Sequence, residues 1–562
     1  MGYPGASLHC INYGVATDPA CGSGNFLTET YLSLRRLENE ALKIIYGDQT
    51  TLDTGDVIRV SIGQFYGIEI NDFAVTVAKT ALWIAESQMM HETEEIVHTN
   101  LDFLPLKSYA NIIESNALRI DWESVVPKNE LNYIMGNPPF VGYSLQSAEQ
   151  KADILSIYID EKGKPYNTAG KIDYVSGWYF KACEFVQNTE IRVAFVSTNS
   201  ICQGEQVAGV WKPLYDRFNI HIDFAHRTFR WDSEASEKAH VHCVIVGFSV
   251  AENQLQRRLY SSERIQPVDN INPYLVNAET IFIESTRNPI CDVPQMINGG
   301  KPAEGGYLIL TEEEKGDLIK REPQATKYIR PFMMGKDFIQ RKPRYCLWLV
   351  DANPSELKKC RLVLDRVEKV RKFRLDSKKK ATQAKAETPT LFDEIRDSKT
   401  DYIAIPKVSS ENRRYIPIDY LYANTIAGDK LFMIPDAKIY HFGVLTSNVH
   451  MAWMRAICGR LKSDYSYSNT IVYNNFPWCN PSNEQKAKIE QTAQAILDAR
   501  AKYPECSLAD LYDETTMPPE LRKAHHQNDF AVMAAYGFSK NITESECVAE
   551  LMKMYQNMIE EI

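Results

Sequence analysis

Apolar residues in the first 150 positions alternate between short continuous runs and longer stretches with helical spacing. Runs at 65–70 and 133–135 are typical of buried strands, whereas residues 25–40 predict a helix and a second helix is expected from 71 to about 90. The helical spacing of residues 25–40 is carried by Phe26, Leu27, Tyr31, Leu34 and Leu37. Glycine and proline interrupt residues 1–17, which makes a poor first strand. Alternating strands and helices predict an α/β domain with a parallel sheet covered by helices.

The rest of the pattern predicts three domains. Apolar runs at 192–197 and 241–248 suit further buried strands, which complete the first domain at 1–285. Short strands, prolines and charged residues then alternate, which indicates a mixed α+β domain at 286–480. Helical spacing returns in a C-terminal region at 481–562, for example at Ile489, Ala493, Ile496 and Leu497.

The composition is that of an ordinary globular protein. The 562 residues are 44% hydrophobic and 24% charged, and the chain is longer than one hydrophobic core supports. Twelve cysteines occur without a Cys-x-x-Cys pair, and His525 and His526 lack nearby ligands at metal-site spacing, so we expect no metal. The absence of a signal peptide and of a long apolar span predicts a reduced, cytoplasmic protein without a membrane partner.

The most specific chemistry follows the apolar run at 133–135. The tetrapeptide that follows this run after Gly136 consists of Asn137, Pro138, Pro139 and Phe140. Proline fixes φ and keeps the preceding residue out of helix, so the chain leaves the strand extended. The side-chain oxygen of Asn137 and the carbonyl of Pro138 can accept both hydrogens of an exocyclic amine, whose lone pair then points at a methyl donor. The alternative is a proline turn after a core strand, with Phe140 packed in the core.

A glycine-rich turn near the start of the chain predicts the binding site of a donor. Glycines let the backbone approach a ligand at the beginning of a helix, and a carboxylate at the end of the second strand can chelate a ribose diol. The candidate binding residues are Asp18, Ala20, Gly22, Gly24, Glu69 and Asn116, the last placed to contact an adenine ring. The alternative is a generic nucleotide site or a tight turn. Cys21 is interpreted as a small buried residue and not as a nucleophile.

Residues 18–27, 66–69 and 136–140 together resemble the motifs of class I, S-adenosylmethionine-dependent N6-adenine DNA methyltransferases, in the gamma order. Nearly the whole chain is similar to the methyltransferase and target-recognition parts of fused type IIG and type IIL restriction-modification enzymes. The similarity includes residues 224–231, 406–410 and 450–478. It implies a Rossmann-like sheet with helices on both faces, S-adenosylmethionine as cofactor, and double-stranded DNA as partner.

The resemblance also implies a second aromatic residue at the site. A flipped adenine would lie between Phe140 and Phe229, because N6 is unreachable inside a duplex and stacking on aromatic rings offsets part of the cost of extrusion. Trp231 is the rival for the second ring. The alternative for Phe229 is a core aromatic at a strand edge.

Positive charge is concentrated in the second domain. The net charge of −10 argues against a uniformly basic protein, but residues 341–380 carry fourteen Lys and Arg against five Asp and Glu. The candidate DNA contacts are Arg341, Lys342, Arg344, Arg413, Arg414 and Lys462. The alternative for the basic segment is a solvated helix face followed by a flexible linker at 376–399.

Fused enzymes of this kind carry a nuclease domain and a helical connector before the methyltransferase, whereas seventeen residues precede Asp18. We therefore expect a chain that is truncated at its amino end. We also expect a monomer in the bacterial or archaeal cytosol, associated with the nucleoid. Similar loops also serve cytosine N4, RNA bases and protein glutamine, and a catalytically silent DNA-binding fragment is a further alternative.

Overall fold

Two compact units account for the chain, one within residues 1–202 and 206–282 and the other within 203–205 and 283–562. The computed structural model describes residues 14–46, 58–97, 111–231, 241–250, 256–261 and 264–561. In those ranges, no helix combines the length and the apolar character that crossing a membrane requires.

A sheet dominates the first unit. Its strands are β1 (Val15–Asp18), β2 (Phe65–Glu69), β3 (Asn111–Glu114), β4 (Leu131–Gly136), β5 (Arg192–Thr198), β6 (His221–Trp231), β7 (Val241–Ser249), β8 (Arg257–Tyr260) and β9 (Ile265–Val268). Within the described residues these nine strands run in the order β3-β2-β1-β4-β5-β7-β6-β8-β9. Strands β1 to β5 are parallel, and β7 is antiparallel to both of its neighbours. The predicted α/β class is confirmed.

Helices connect the strands of the first unit. They are α1 (Asn25–Tyr46), α2 (Asp72–Val97), α3 (Ala148–Ile157), α4 (Ser176–Phe185) and α5 (Glu205–Phe218). The expected strands and helices therefore exist, and α1 and α2 extend six or seven residues beyond the predicted ends. The expectation of a poor first strand was wrong for its last residues, because β1 pairs on both sides, with β2 and β4, and has a largely buried sequence.

Helices α1 and α2 pack through a mixed apolar and polar interface. Leu27 and Tyr31 are buried in the same cluster as Leu82. Leu37 shares the helical spacing but is 57% exposed. The buried ion pair of Arg35 and Glu38 takes the inward positions, and Arg35 also donates to the hydroxyl of Thr93. Paired and hydrogen-bonded charges can thus replace an apolar residue at an inward position.

Small sheets and helices form the second unit. Its strands are β10 (Ile297–Asn298), β11 (Ile309–Leu310), β12 (Ile329–Met333), β13 (Arg344–Leu347), β14 (Tyr402–Pro406), β15 (Val408–Ser409), β16 (Asp419–Leu421), β17 (Ile426–Ala427), β18 (Leu431–Pro435), β19 (Gly459–Leu461) and β20 (Asp464–Ser466). Its helices are α6 (Glu312–Arg321), α7 (Gly335–Ile339), α8 (Pro354–Leu357), α9 (Arg361–Leu375), α10 (Lys380–Ala384), α11 (Ile439–Leu445), α12 (Asn448–Ile457), α13 (Asn483–Ala501), α14 (Leu508–Leu511), α15 (Pro519–Tyr536) and α16 (Glu544–Glu560). The mixed α+β region and the helical C-terminal region are both confirmed.

The C-terminal helices belong to the core of the second unit. Ile489, Ala493 and Ile496 of α13 are buried, as the helical spacing predicts. His525 of α15 is buried, stacks on the ring of Tyr415 and shares a hydrogen bond with a tyrosine hydroxyl. Burial lowers the pKa of His525 well below its usual value. This histidine is thus a neutral core residue.

Arg374 holds together the segment that sequence reasoning offered as a flexible linker. Its buried guanidinium donates to five backbone carbonyls. These belong to Pro302, Ala303, Lys385, Thr388 and Leu391. Burial lowers the pKa of Arg374 from its usual value. The chain after α9 is therefore anchored to the end of that helix, and it includes a further helix, α10.

Replacing Arg374 with Lys should lower the free energy of unfolding of the second unit by about 2–4 kcal/mol. Lysine keeps the charge but offers three donors, so at least two of the buried carbonyls lose their partner. Urea unfolding followed by circular dichroism measures the change. The matched control is Arg371→Lys on the exposed face of α9, which we expect to shift the free energy by less than about 0.5 kcal/mol. Equal stability of R374K and R371K would contradict the role of Arg374.

Candidate functional site

Four loops follow the carboxyl ends of neighbouring parallel strands, so they lie at the same end of the sheet. The chain runs from β1 to β2 and β3 on one side of β1, and β4 then pairs with β1 on its other side. The carboxyl ends of β1, β2, β3 and β4 therefore border one crevice, which is where open α/β sheets bind ligands. The sequence-predicted residues Asp18, Glu69, Asn116 and Asn137 all lie in or just after these strand ends.

The turn after β1 is shaped by glycine and by backbone hydrogen bonds. The Ala20 amide donates to Oδ1 of Asp18 at 2.9 Å. Gly22 and Gly24 have φ of +54° and +81°, values that favour glycine. A Cβ on Gly24 would lie 2.8 Å from the Cβ of Ala78, so glycine also allows α1 to approach α2. The turn is thereby fixed just ahead of the first residue of α1.

The carboxylate of Glu69 is hydrogen-bonded both to the glycine turn and to the residue that precedes α2. One carboxylate oxygen accepts from the Gly22 amide at 2.9 Å and the other from the Asn71 amide at 3.0 Å. Both contacts orient the carboxylate at the end of β2, where it also lines the crevice. Cys21, next to Gly22, is buried, and burial raises the pKa of its thiol. The interpretation of Cys21 as a small buried residue agrees with this placement.

Asp18 lies against the residue that precedes the Asn-Pro-Pro-Phe loop. Its side chain is buried, and a Cβ on Gly136 would collide with the carboxylate. Burial raises the pKa of Asp18 to about 7, with a hydrogen bond from Ala20 opposing the shift and the nearby charge of Glu69 adding to it. The glycine turn and the start of the loop are thus in direct contact.

The loop carries an acceptor without a partner. Oδ1 of Asn137 is buried and accepts no hydrogen bond from any described residue. An unpaired buried acceptor costs free energy of the order of 1–3 kcal/mol, so such an atom at a crevice points to a missing donor. Pro138 is buried, Pro139 is exposed and Phe140 is half-buried.

A cavity of about 600 Å³ connects these groups. Its lining includes Pro19, Glu69, Asn116, Asn137, Asp153 and Trp178. Its size suits a nucleoside with an attached amino acid chain, since pockets for ligands of that class are of several hundred Å³. Residues of the turn after β1, Glu69 and Asn137 thus line one cavity.

Sequence reasoning missed the side chains that orient Asn116. Asp153, a buried residue of α3, accepts from the Asn116 amide at 3.2 Å, from Arg119 at 2.7 Å and from the Tyr174 hydroxyl at 3.1 Å. Oδ1 of Asn116 accepts from the Leu118 amide at 2.9 Å. The hydrogen bonds of Asp153 span 21 to 37 positions of the chain, and no local motif marks such a pairing.

Phe229 lies near the carboxyl end of β6, at the same end of the sheet as the Asn-Pro-Pro-Phe loop. β6 is antiparallel to β7, which is antiparallel to β5, so β6 runs in the direction of β4. The half-buried ring of Phe229 meets the ring of His226 edge-on at 4.9 Å. The pairing register of β6 shifts between these two residues, a bulge of the kind that redirects side chains. The side chain of Trp231 lies outside the described residues.

The predicted DNA contacts in the second unit fall into two groups. Arg341 forms an ion pair with Asp419 at 3.4 Å, and Arg344 forms one with Asp337 at 2.8 Å. Both arginines therefore already have a carboxylate partner within the second unit. Burial lowers the pKa of Arg413, which is half-buried.

Three other candidate cations are exposed. They are Lys342, Arg414 and Lys462. Lys462 lies in the turn between β19 and β20 with φ of +59°. A charge at the tip of a hairpin can approach a partner closely.

Comparison with known proteins relates the whole chain to one group of enzymes. Residues 9–261 match the DNA-methyltransferase domain of MmeI, 277–480 its target recognition domain and 481–562 its C-terminal domain. The solved structure of the type IIL restriction-modification enzyme MmeI in complex with DNA is 44% identical, with a TM-score of 0.88 over 97% of this chain and 73% of that chain. The chain belongs to the MmeI family. The resemblance to type IIL enzymes is thereby confirmed.

A second relative of this MmeI-family chain is "DNA methyltransferase A" of Bacillus subtilis (strain 168). The two are 40% identical over 547 residues, which is 97% of this chain and 61% of the relative. The chain thus spans about three fifths of the length of that relative. The three family matches meet between residues 261 and 277 and at 480–481, and the compact units divide after Phe282. The predicted boundaries after 285 and after 480 stay predictions.

Replacing Asp18 with Asn should change how stability depends on pH. The folded chain holds the Asp18 proton more tightly than the unfolded chain, so the contribution of Asp18 to the free energy of unfolding is present below about pH 4 and is lost as the pH rises through about 7. Asparagine does not titrate. Relative to wild type, D18N should therefore gain about 2–3 kcal/mol between about pH 5 and pH 8.

Urea unfolding at both pH values measures this difference. The control is Asp121→Asn, at an exposed carboxyl of the same unit. A constant difference between D18N and wild type would show that Asp18 is ionised throughout the range.

Proposed function

We propose that this MmeI-family chain transfers a methyl group from S-adenosylmethionine to N6 of an adenine in duplex DNA, as the modification part of a restriction-modification system. The observation that carries the proposal is the buried, unpartnered Oδ1 of Asn137, which lies at a strand end beside the cavity that Glu69 lines. The family match to a DNA-methyltransferase domain supports it.

The reaction needs a change in the substrate amine. The lone pair of N6 is delocalised into the adenine ring, so the amine is a poor nucleophile. Oδ1 of Asn137 and the carbonyl of Pro138 can accept its two hydrogens, which favours a tetrahedral nitrogen with the lone pair directed out of the ring plane. Acceptors that are fixed before reaction stabilise the charge that develops on the amine in the transition state.

The described residues fit S-adenosylmethionine, which supplies a methyl group on a positive sulfur. The carboxylate of Glu69 is oriented by two amides and suits the ribose hydroxyls. The amide of Asn116, oriented by Asp153, suits the adenine ring of the cofactor. The open backbone at Gly22, where nothing lies within 4 Å of an added Cβ, leaves room for the amino acid end.

The adenine that accepts the methyl group would lie between Phe140 and Phe229. β6 is the third strand from β4, so the two strands are about 14 Å apart at a spacing of about 4.8 Å per strand. Two aromatic side chains that reach inward can span that distance with one base stacked between them. Stacking contributes about 1–3 kcal/mol per base and offsets part of the cost of flipping.

Exposed cations of the second unit would contact the duplex. Lys342, Arg414 and Lys462 are the first choices because they are exposed. Arg341 and Arg344 remain candidates that can add phosphate contacts beside their ion pairs. Arg413, which is half-buried and precedes Arg414, is a further candidate. We propose that the chain binds DNA as a monomer in the cytoplasm of a bacterium or archaeon.

Asn137→Ala should reduce the methylation rate by about 100-fold or more while DNA affinity changes little, because the lost acceptor acts mainly in the transition state. Incubation of DNA with the full chain and labelled S-adenosylmethionine, followed by nucleoside digestion, measures rate and product together. The control is Asn129→Ala, at an exposed asparagine of the same unit.

The identity of the modified nucleoside decides between related functions. N6-methyladenine supports the proposal, and N4-methylcytosine would assign the loop to cytosine. DNA binding without any modified base would leave a specificity module without activity. An unchanged rate in N137A would remove Asn137 from the reaction.

Glu69→Ala should weaken S-adenosylmethionine binding by at least about tenfold, since a charged acceptor for the ribose hydroxyls is lost together with the hydrogen bonds from the Gly22 and Asn71 amides. Isothermal calorimetry with the isolated cofactor measures this affinity without requiring catalysis. Glu123→Ala, at an exposed residue, is the control. Equal affinity of E69A and wild type would exclude the ribose contact.

A further inference from the structure

The turn that follows the Asn-Pro-Pro-Phe loop presents apolar side chains to solvent. Tyr143 follows Phe140 by three positions and is 46% exposed, and Leu145 is 81% exposed. No charged residue occurs from 141 to 147. An exposed leucine and tyrosine on a neutral turn beside a candidate active site form a surface with no role in the core. We refer to Tyr143 and Leu145 as the apolar tip.

The fold holds this turn in place. The Tyr143 amide donates to Oδ1 of Asp173 at 3.0 Å, and Oδ2 of the same buried carboxylate accepts from the Ser200 hydroxyl at 2.6 Å. The Gln146 side chain donates to the Ile172 carbonyl at 2.9 Å. The apolar tip is therefore presented by an ordered turn, and its exposure is a property of the folded chain.

The turn is followed directly by residues that line the cavity. It connects the loop at the end of β4 to helix α3, which begins at Ala148 after the capping residue Ser147. Ser147, Glu149, Gln150 and Asp153 all line the cavity. Along the chain, the apolar tip thus lies between Phe140, which the proposed function places against the flipped base, and the residues of α3 that line the cavity.

Extruding a base leaves a gap in the stack of the duplex. Proteins that unstack DNA frequently insert apolar side chains between base steps, because the side chain replaces part of the lost stacking. We propose that Leu145 enters the duplex beside the extruded nucleotide and that Tyr143 packs against a neighbouring base. The partner of this surface is the base stack of duplex DNA, so the inference rests on the proposed function and deepens it.

The test uses the full chain and a duplex that contains the sequence which the wild type methylates, found by methylome sequencing of exposed DNA. Leu145→Ala should lower the methylation rate at least about tenfold on the fully paired duplex. The loss should be much smaller when the target base stands opposite an abasic site, because no base pair then has to be broken and extrusion costs less. Tyr143→Ala should behave in the same way, with a smaller loss for Tyr143→Phe.

Leu37→Ala is the matched control, since Leu37 is an exposed leucine on α1. Thermal unfolding checks that L145A and L37A fold as the wild type does. A paired-duplex rate of L145A equal to that of L37A would overturn the proposal, and so would an equal loss on paired and abasic duplexes, which would assign Leu145 to another step. A wild type that methylates no DNA would overturn the proposed function itself, which separates the two failures.

Discussion

The close packing of the Asp18 carboxylate against Gly136 is the constraint on which the site depends. β1 and β4 are neighbours in the sheet, and only a residue without a side chain at position 136 leaves room for the buried carboxyl. The glycine turn and the Asn-Pro-Pro-Phe loop therefore have a fixed separation before any ligand binds. The Glu69 carboxylate then orders the turn by accepting a hydrogen bond from the Gly22 amide, and Asn137 directly follows Gly136. Preorganisation of this kind lets binding groups act without first being ordered.

Local patterns were sufficient to predict the elements that build the site. The apolar run at 65–70 corresponds to β2, and the helical spacing after Gly24 corresponds to α1. Each of these signals lies within a few residues, because strand and helix periodicity are properties of short segments. β1 was underestimated for the same reason: its four residues are stabilised by partners far along the chain, and the glycines before it obscure the signal. The position of β7 between β5 and β6 also depends on long-range pairing and had no local signature.

The other features of the site could not be predicted from sequence, because they depend on contacts between distant parts of the chain. Asp153 orients Asn116 across 37 positions, and Trp178 donates to the carbonyl of Pro19 across 159 positions. Sequence alone does not distinguish a basic residue that is free to meet phosphate from one that is paired, because both uses require the same charge. Arg344 and Lys342 are two positions apart, yet one is paired with a carboxylate and the other is exposed. Arg374 lies within the basic segment 341–380, yet it is a buried structural residue.

The unpaired Oδ1 of Asn137 has a consequence for the evolution of this fold. A buried acceptor that stays unsatisfied in the folded chain lowers its stability, so many substitutions at this position would make the protein more robust. Retaining asparagine therefore sets a limit on how stable the first unit can become while the loop keeps its acceptor. Improvements in stability must come from elsewhere, for example from the interface of α1 and α2. Variants selected only for thermal resistance would be expected to lose this amide early.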